Sequence, residues 1–233
     1  PQFHRDGWEL YASDIKLAGI VAPREHAKST AFTHDYALAA ALFRVAQFIV
    51  IVSATEDLAI NHLGDISKEF SENADLKAEF GIACLVIDAK TEIVVRFDDG
   101  YECRIIVKGS GQKMRGLKWR GKRPGLIICD DLEEDEQVEN ADRRRKFRQW
   151  FFRALKPSLR KGGLIRIHGT ILHEDALLNR LVRDKTWKVL FYKAHASFDD
   201  FSNILWPDRF DEKRLRTIRQ SFIEQQDAAG YSQ

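Results

Sequence analysis

The stretch "VAPREHAKST", residues 21–30, decides how the rest of the sequence is interpreted. It follows an apolar run, precedes a region of helical periodicity and contains Lys28 and Ser29. A loop in that place can bind phosphate, because its backbone N–H groups and the positive end of the helix face the anion while the lysine and the hydroxyl reach phosphate and Mg²⁺. Such a loop normally has glycine where this one has Ala22 and Ala27, so a left-handed backbone there would be strained. The alternative is an ordinary helix start after a strand.

A second segment, "GLIICDDLEEDE" (125–136), fits the first interpretation. Its apolar strand ends in Asp130 and Asp131, which places two carboxylates at the edge of the sheet where ligands collect in open α/β folds. The first carboxylate would associate with Mg²⁺ and another would orient the attacking water. An acidic, solvated loop after a core strand is the competing interpretation. Together, the Lys–Ser turn and the paired carboxylates favour an ATPase.

Apolar runs and helical patterns alternate along the chain, which predicts a mainly parallel sheet covered on both faces. "DDG" between two β-branched runs within 85–107 predicts a hairpin, and 73–81 is predicted to be a break. The helix at 28–46 is expected to bury Tyr36, Ala40, Phe43 and Ala46. The predicted strands are 17–22, 48–54, 125–130, 164–170 and 187–194, and the predicted helices are 28–46, 56–71, 138–155, 173–184 and one starting at Asp211.

The composition is that of a globular domain, with 233 residues, 44% hydrophobic and 31% charged. We expect no membrane span and no signal peptide, since the longest apolar region is interrupted by Arg44 and Gln47. Three cysteines without ligand spacing argue against a disulfide framework and against zinc, and favour a reducing, cytoplasmic setting. The charged residues occur in blocks along the sequence, with bases at 113–123, carboxylates at 130–139 and bases again at 143–148. This distribution indicates separate sites for a metal–phosphate ligand and a polyanion.

These motifs resemble, in order, those of the large terminase subunits of tailed bacteriophages. The resemblance covers nearly the whole chain and rests on "APREHAKST", "VSATEDLA", "MRG", "GKRPGLIICDDLEEDE", "HGTILHEDALL" and "ILWPDRF". It implies a three-layer, RecA-like (ASCE) P-loop NTPase of the α/β class over 1–210, with 211–233 as a terminal helix and the start of a linker toward a nuclease domain outside this chain. Terminase phosphate loops deviate from the glycine pattern and often contain an arginine, here Arg24.

The resemblance also implies roles for single residues, with ATP and Mg²⁺ as cofactors. Lys28 and Ser29 would contact phosphate and Mg²⁺, and Asp130 would be the other Mg²⁺-associated group. Asp131 stands where related motors often have Glu, so the base is expected to be Asp131 or Glu134, with Glu133 a further candidate. The remaining nucleotide contacts are expected from Pro23, Arg24, Glu25, His26, Ala27, Thr30 and, at the coupling motif after Gly169, Thr170.

An arginine supplied by a neighbouring subunit of a ring is also implied. Arg120 is the chosen candidate, beside Arg115 and Arg123 in the basic loop at 113–123. Phe3 and Trp8 resemble the adenine side of the family's site, although core packing would explain Trp8 equally.

The resemblance implies a DNA-packaging motor in the host cytoplasm, at the procapsid vertex. Its partners would be double-stranded DNA, the portal protein, the small terminase subunit and further copies of itself, with no membrane. Two other functions stay open. One is a metal-dependent nuclease built on the carboxylates at 130–136, because two-metal chemistry also needs clustered carboxylates. The other is a nucleotide-insensitive DNA-binding or assembly module that uses the basic blocks.

Overall fold

One eight-stranded sheet organises the chain in the computed structural model, which describes residues 1–225. The strand order is β3-β4-β5-β2-β6-β7-β1-β8. The six strands from β5 to β8 in this order pair in parallel, whereas β4 pairs antiparallel with both of its neighbours. The strands are β1 Leu17–Val21, β2 Phe48–Ser53, β3 Ile82–Ala89, β4 Glu92–Phe97, β5 Glu102–Gly109, β6 Leu126–Asp130, β7 Leu164–Gly169 and β8 Lys188–Phe191.

Helices cover both faces of this sheet, as the alternating pattern predicts. Thr30–His34 and Phe151–Leu155 are π-helical turns that continue into or out of regular helices, and Lys156–Ser158 is a 3₁₀ turn. The α-helices are α1 Gln2–Ala12, α2 Asp35–Leu42, α3 Glu56–Glu72, α4 Ala74–Phe80, α5 Asp135–Glu139, α6 Ala141–Trp150, α7 Leu177–Arg183 and α8 Glu212–Glu224.

The central strand β2 shows how the two faces are built. All six of its residues are buried, and successive side chains point to opposite faces of a sheet. Ile49 and Ile51 belong to the core under α1, α2 and α3, whereas Val50 and Val52 belong to the core under α6 and α7. The predicted three-layer α/β arrangement with a mainly parallel sheet is therefore confirmed.

Arg166 anchors α1 to the sheet from within the core. It lies on β7 and is fully buried, with its guanidinium donating to the carbonyl oxygens of Tyr11, Ser13 and Ile15 at 3.0, 2.9 and 2.6 Å. These carbonyls lie at and just after the end of α1, where a helix has no partners of its own for them. The arginine thus fixes the position of α1, whose first turn reaches the loop after β1.

Several local predictions are wrong. Residues 73–81 are not a break, because Asn73 caps the start of α4 and Gly81 ends it with a φ of 63°. The helix predicted at 28–46 ends at Leu42, and Phe43, expected in the core, is 70% exposed. The "DDG" turn joins β4 to β5 as predicted, but a second hairpin joins β3 to β4 through residues 90–91, which lack a glycine signal.

The remaining differences lie after β6. The helix predicted at 138–155 is divided by Asn140, whose side chain accepts from the N–H groups of the first turn of α6. The helix predicted at 173–184 begins only at Leu177. Asp211 caps α8 as expected, and the end of the predicted linker, 226–233, lies outside the described residues. Within residues 1–225 no helix combines the length and apolar character needed to cross a membrane.

Candidate functional site

The loop at 22–29 joins β1 to the helical turn at Thr30, at the edge of the sheet where the parallel strands end. Glu25 and Ala27 have φ values of 60° and 51° and so lie in the left-handed region, whereas Ala22 does not. That region costs an L-residue with a Cβ roughly 1–2 kcal/mol. One of the two alanines at glycine positions is therefore strained and the other is not.

His26 holds this strained loop between α1, near the start of the chain, and the segment just before α8. Its ring is buried, lies 2.8 Å through Nδ1 from the carbonyl oxygen of Arg24, and stacks on Phe210 with ring centroids 4.6 Å apart. His4 Nε2, on α1, lies 2.9 Å from the carbonyl oxygen of His26. Burial lowers the pKa of His26 and so favours its neutral form. Glu25 pairs with Arg214 of α8 at 3.6 Å, so the predicted nucleotide contacts Glu25 and His26 hold the loop in place.

Lys28 extends back across the loop. The residue is 5% exposed, and its ammonium donates to the Pro23 carbonyl oxygen at 2.8 Å and to Thr170 Oγ1 at 3.0 Å. Burial lowers the pKa of Lys28, and Asp131 and Asp130 oppose that shift because they attract the charged form. A buried ammonium bonded to neutral oxygens inside a loop is well placed to bind an anion that replaces them.

Asp130, at the end of β6, is the centre of a buried polar cluster. Its carboxylate accepts a hydrogen bond from Ser29 Oγ at 3.0 Å, and it lies 2.9 Å from His62 Nε2 and 3.1 Å from His168 Nε2. Burial alone would raise the pKa of Asp130, but the charge and hydrogen bonds of the two histidines outweigh it and hold this pKa well below its usual value. Ser29 and Asp130, predicted together at the metal, are thus in direct contact.

The two histidines were not predicted. His168 also contacts Tyr11 OH at 3.1 Å and Thr33 Oγ1 at 2.9 Å, and the bond to Asp130 together with its charge raises the pKa of His62 against the effect of burial. The strand "LIRIHGT" offered a signal, since Arg166 and His168 alternate with apolar residues and so place polar groups on one face of a buried strand. His62 lies on α3 without such a pattern.

Thr170 connects the phosphate-loop candidate to the acidic segment. Its hydroxyl donates to the Ala22 carbonyl oxygen at 3.2 Å and accepts from Lys28, and its backbone N–H donates to Asp131 Oδ1 at 3.0 Å. Asp131 has a φ of 39° and an exposed side chain. A Cβ at Gly169 would lie 2.8 Å from Asp131 Oδ1, so a side chain there would displace this carboxylate from the Thr170 N–H. The structure therefore brings Lys28, Asp131 and Thr170 together.

The other carboxylates of the acidic segment face different partners. Both oxygens of Glu133 accept the Leu177 N–H, at 3.1 and 2.9 Å, at the start of α7, and burial raises the pKa of Glu133. Asp135 accepts from Arg24 across the cleft at 2.9 and 3.0 Å, and Glu134 is exposed at the start of α5. This cleft has a volume of about 570 Å³ and is also lined by Asp131 and Thr170.

Arg120 lies near the amino ends of the parallel strands, whereas Lys28 lies near their carboxyl ends. It pairs with Glu102, the first residue of β5, whose last residue Gly109 lies level with the end of β2. At about 3.3 Å per residue, the seven steps along β5 span roughly 23 Å. Arg120 is therefore remote from the loop of its own chain.

The other predicted residues are placed as follows. Arg123 donates to the Pro157 carbonyl oxygen at 2.6 Å and Arg115 to that of Arg153 at 3.2 Å. Thr30 is exposed after Ser29. On the predicted adenine side, Phe3 is buried, and Trp8 packs against Tyr36 with ring centroids 5.7 Å apart. Trp8 therefore packs on the core.

Several solved structures with a similar fold are large terminases. The chain matches the Thermus phage P74-26 large terminase ATPase domain with a TM-score of 0.64 and 14% identity, over 97% of this chain and 92% of that one. It matches the bacteriophage HK97 large terminase (TM-score 0.60, 16% identity, 100% and 50% of the chains) and the large terminase of the thermophilic bacteriophage D6E in complex with ATP-gamma-S (0.53, 12%, 94% and 48%). No family model and no curated protein sequence matches.

These likenesses show that the chain shares its fold with solved large terminase ATPase domains, which confirms the α/β fold class predicted from the motifs. The chain spans about half the length of the HK97 and D6E proteins.

The contrast between the two alanines is testable through stability. Ala27→Gly relieves roughly 1–2 kcal/mol of strain from the left-handed backbone, but glycine raises the entropic cost of folding by about 0.5–1 kcal/mol. We therefore expect an unchanged or slightly larger free energy of unfolding. Ala22→Gly removes a buried methyl group without relieving strain and should cost about 1–2 kcal/mol. Urea unfolding of both variants measures the difference, and equal losses would show that the loop is not strained at Ala27.

Proposed function

We propose that this chain hydrolyses ATP with Mg²⁺ as the ATPase domain of a phage large terminase, and that hydrolysis powers movement of viral double-stranded DNA into a procapsid. The observation that carries the proposal is the contact of Lys28 with Thr170 and of Ser29 with Asp130, at the ends of β1, β6 and β7. A terminase with this fold has been solved in complex with ATP-gamma-S, which supports nucleotide binding by the fold.

The side chains fit ATP and Mg²⁺ chemically. Lys28 supplies a cation at the loop, the Ser29 hydroxyl and the Asp130 carboxylate supply the oxygen ligands that Mg²⁺ prefers, and the strained backbone of Glu25 and Ala27 shapes the loop. Bound Mg²⁺ would offset the charge on the β and γ phosphates. Arg24, whose exposed pair with Asp135 lies across the cleft, would contribute a second cation from within the loop.

Asp131 is the proposed base, with Glu134 as the second candidate. It directly follows Asp130 and is oriented by the Thr170 N–H, so it can hold a proton-accepting oxygen next to the predicted phosphate site. Glu133 is committed to the start of α7 and is the weaker candidate. Because Thr170 contacts Lys28 as well as Asp131, it would sense the state of the loop and transmit it to the acidic segment.

The wider assignments rest on the same likeness. The proposed partners are the portal protein, the small terminase subunit and further copies of the chain in a ring. The proposed location is the procapsid vertex in the host cytoplasm. The nuclease alternative needs carboxylates converging on metal ions. Within the described chain Asp130 faces histidines and Ser29, Glu133 faces α7 and Asp135 faces Arg24, an arrangement that favours the ATPase.

Lys28→Ala tests the loop assignment. We expect phosphate release from ATP and Mg²⁺ to fall by about 100-fold or more, because the cation that offsets phosphate charge is lost. Far-ultraviolet circular dichroism and urea unfolding verify that the variant folds. Lys161→Ala is the matched control, because Lys161 is exposed in the turn before β7, at the opposite end of that strand from Thr170. Undiminished turnover in a folded Lys28→Ala protein would exclude this loop as the site. Plasmid cleavage with Mn²⁺, assayed in parallel, tests the nuclease alternative.

The choice of base is tested by Asp131→Asn and Glu134→Gln. Losing a general base lowers kcat by about 10²–10⁴-fold, so we expect that loss in Asp131→Asn with little change in ATP affinity, and near-normal kcat in Glu134→Gln. Steady-state kinetics and nucleotide titration separate the two effects. The reverse pattern would place the base at Glu134.

The role of Arg120 in a neighbouring subunit is tested by mixing inactive chains. Asp130→Asn keeps Arg120 but loses its own site, whereas Arg120→Ala keeps its own site. An arginine supplied in trans can raise turnover by about 10³–10⁵-fold, so the mixture should recover activity that neither chain shows alone. Activity per molecule of the wild type should also rise with concentration. A mixture without recovery and a flat concentration dependence would make Arg24 the leading candidate instead.

A further inference from the structure

The helical stretch from α6 to Leu155 separates an apolar inner face from a cationic outer face. Phe147, Phe151 and Leu155 recur every four residues and are buried in the core. On the outer face, Arg145, Gln149, Phe152 and Arg153 are exposed, with Arg143 and Lys146 beside them. The proposed ATPase chemistry uses none of these residues.

This outer face and α7 enclose a cleft of about 440 Å³, which we call the α6–α7 cleft. Four arginines line it, Arg145, Arg148, Arg153 and Arg180, together with one carboxylate, Asp184. Asp184 is turned toward the backbone N–H and hydroxyl of Thr186, both at 2.8 Å, in its own turn. The cleft therefore has an excess of positive charge.

Nearby carboxylates compensate this charge only in part. Asp175 binds Arg148 at 3.1 Å and also pairs with Arg180, and exposed Asp142 pairs with Arg145 at 3.0 Å. Among residues 1–225, the side chain of Arg153 has no carboxylate within ion-pair distance. Asp175 thus fixes the side chains of Arg148 and Arg180, whereas the exposed Arg145 and Arg153 face solvent.

We propose that the α6–α7 cleft binds the sugar–phosphate backbone of double-stranded DNA. The planar forks of arginine match phosphate oxygens, and backbone contacts of this kind need no base sequence. Arg145 and Arg153 are eight residues apart, which is roughly 12 Å along a helix, enough to reach more than one phosphate of a strand. The choice of duplex DNA rests on the proposed function, since a packaging motor must hold DNA of any sequence.

A chain of contacts joins this cleft to the proposed catalytic segment. Glu133, two residues after Asp131, accepts the Leu177 N–H at the start of α7, and Asp175, just before α7, holds Arg148 and Arg180. The connection from β7 to α7 begins with Thr170, whose N–H binds Asp131. DNA bound at Arg180 would therefore affect, through these contacts, the position of the segment that carries the proposed base.

The test compares two double variants that each remove two exposed cations. Arg145→Ala/Arg153→Ala alters the cleft. Arg5→Ala/Lys90→Ala is the control with the same change in net charge, because Arg5 lies on α1, which covers the other face of the sheet, and Lys90 lies in the hairpin between β3 and β4 at the edge of the sheet. Fluorescence anisotropy with a labelled duplex of mixed sequence gives the Kd over a range of salt concentrations. We expect the cleft variant to bind about tenfold or more weakly and to lower the slope of log Kd against log salt by about 2, with little change in the control.

Phosphate release without DNA separates this proposal from the ATPase assignment. It should be unchanged in the cleft variant, whereas any stimulation by duplex DNA should be lost. If wild-type protein releases no phosphate but the cleft variant still loses DNA binding, the ATPase proposal fails and the cleft stands. Unchanged DNA binding by the cleft variant, an equal or larger loss in the control, or preferential binding of single-stranded competitor would each overturn the duplex assignment.

Discussion

The burial of one carboxylate, Asp130, constrains the architecture of the candidate site. A buried charge costs several kcal/mol unless its oxygens are well bonded, so the chain must bring donors to it. The donors come from three different elements, with Ser29 from the loop after β1, His62 from α3 and His168 from β7. Through these contacts the end of β6 fixes the first turn after the loop and the helix layer above it. Thr170 and Asp131 then continue the same network to the solvent-facing cleft.

The loop itself shows how strain and packing are balanced. Two residues with side chains, Glu25 and Ala27, adopt left-handed conformations that glycine would adopt without cost. His26, buried between α1 and the segment before α8, offsets that cost by packing on Phe210 and by its contacts with backbone oxygens. The shape of the loop is therefore held from outside as well as by its own sequence. This arrangement explains how the loop at 22–29 keeps a left-handed backbone at Glu25 and Ala27 without glycine.

The sequence predicted the framework because the relevant signals are local. The strand ending in Asp130, the Lys28–Ser29 turn and the alternation of strands and helices each depend on neighbouring residues, and the sheet and the Ser29–Asp130 contact followed from them. The contacts of His62, Phe210 and Asp135 could not be predicted in the same way. Each depends on where a distant helix or loop packs, and a single histidine or phenylalanine in an ordinary helical or loop pattern gives no indication of its partner. The extra hairpin was missed because the turn at 90–91 lacks the usual residues.

The most direct test of the site is a structure of the chain with ATP-gamma-S and Mg²⁺. Lys28 Nζ, now on the Pro23 carbonyl oxygen, should move to the outer phosphates at about 2.7–2.9 Å, and Ser29 Oγ should turn from Asp130 toward the metal. The phosphates should lie in the loop at 22–29, with Asp131 and Thr170 at their outer end. A nucleotide bound elsewhere, for example in the α6–α7 cleft, while Lys28 and Ser29 keep their present partners, would contradict the assignment of this loop as the phosphate site.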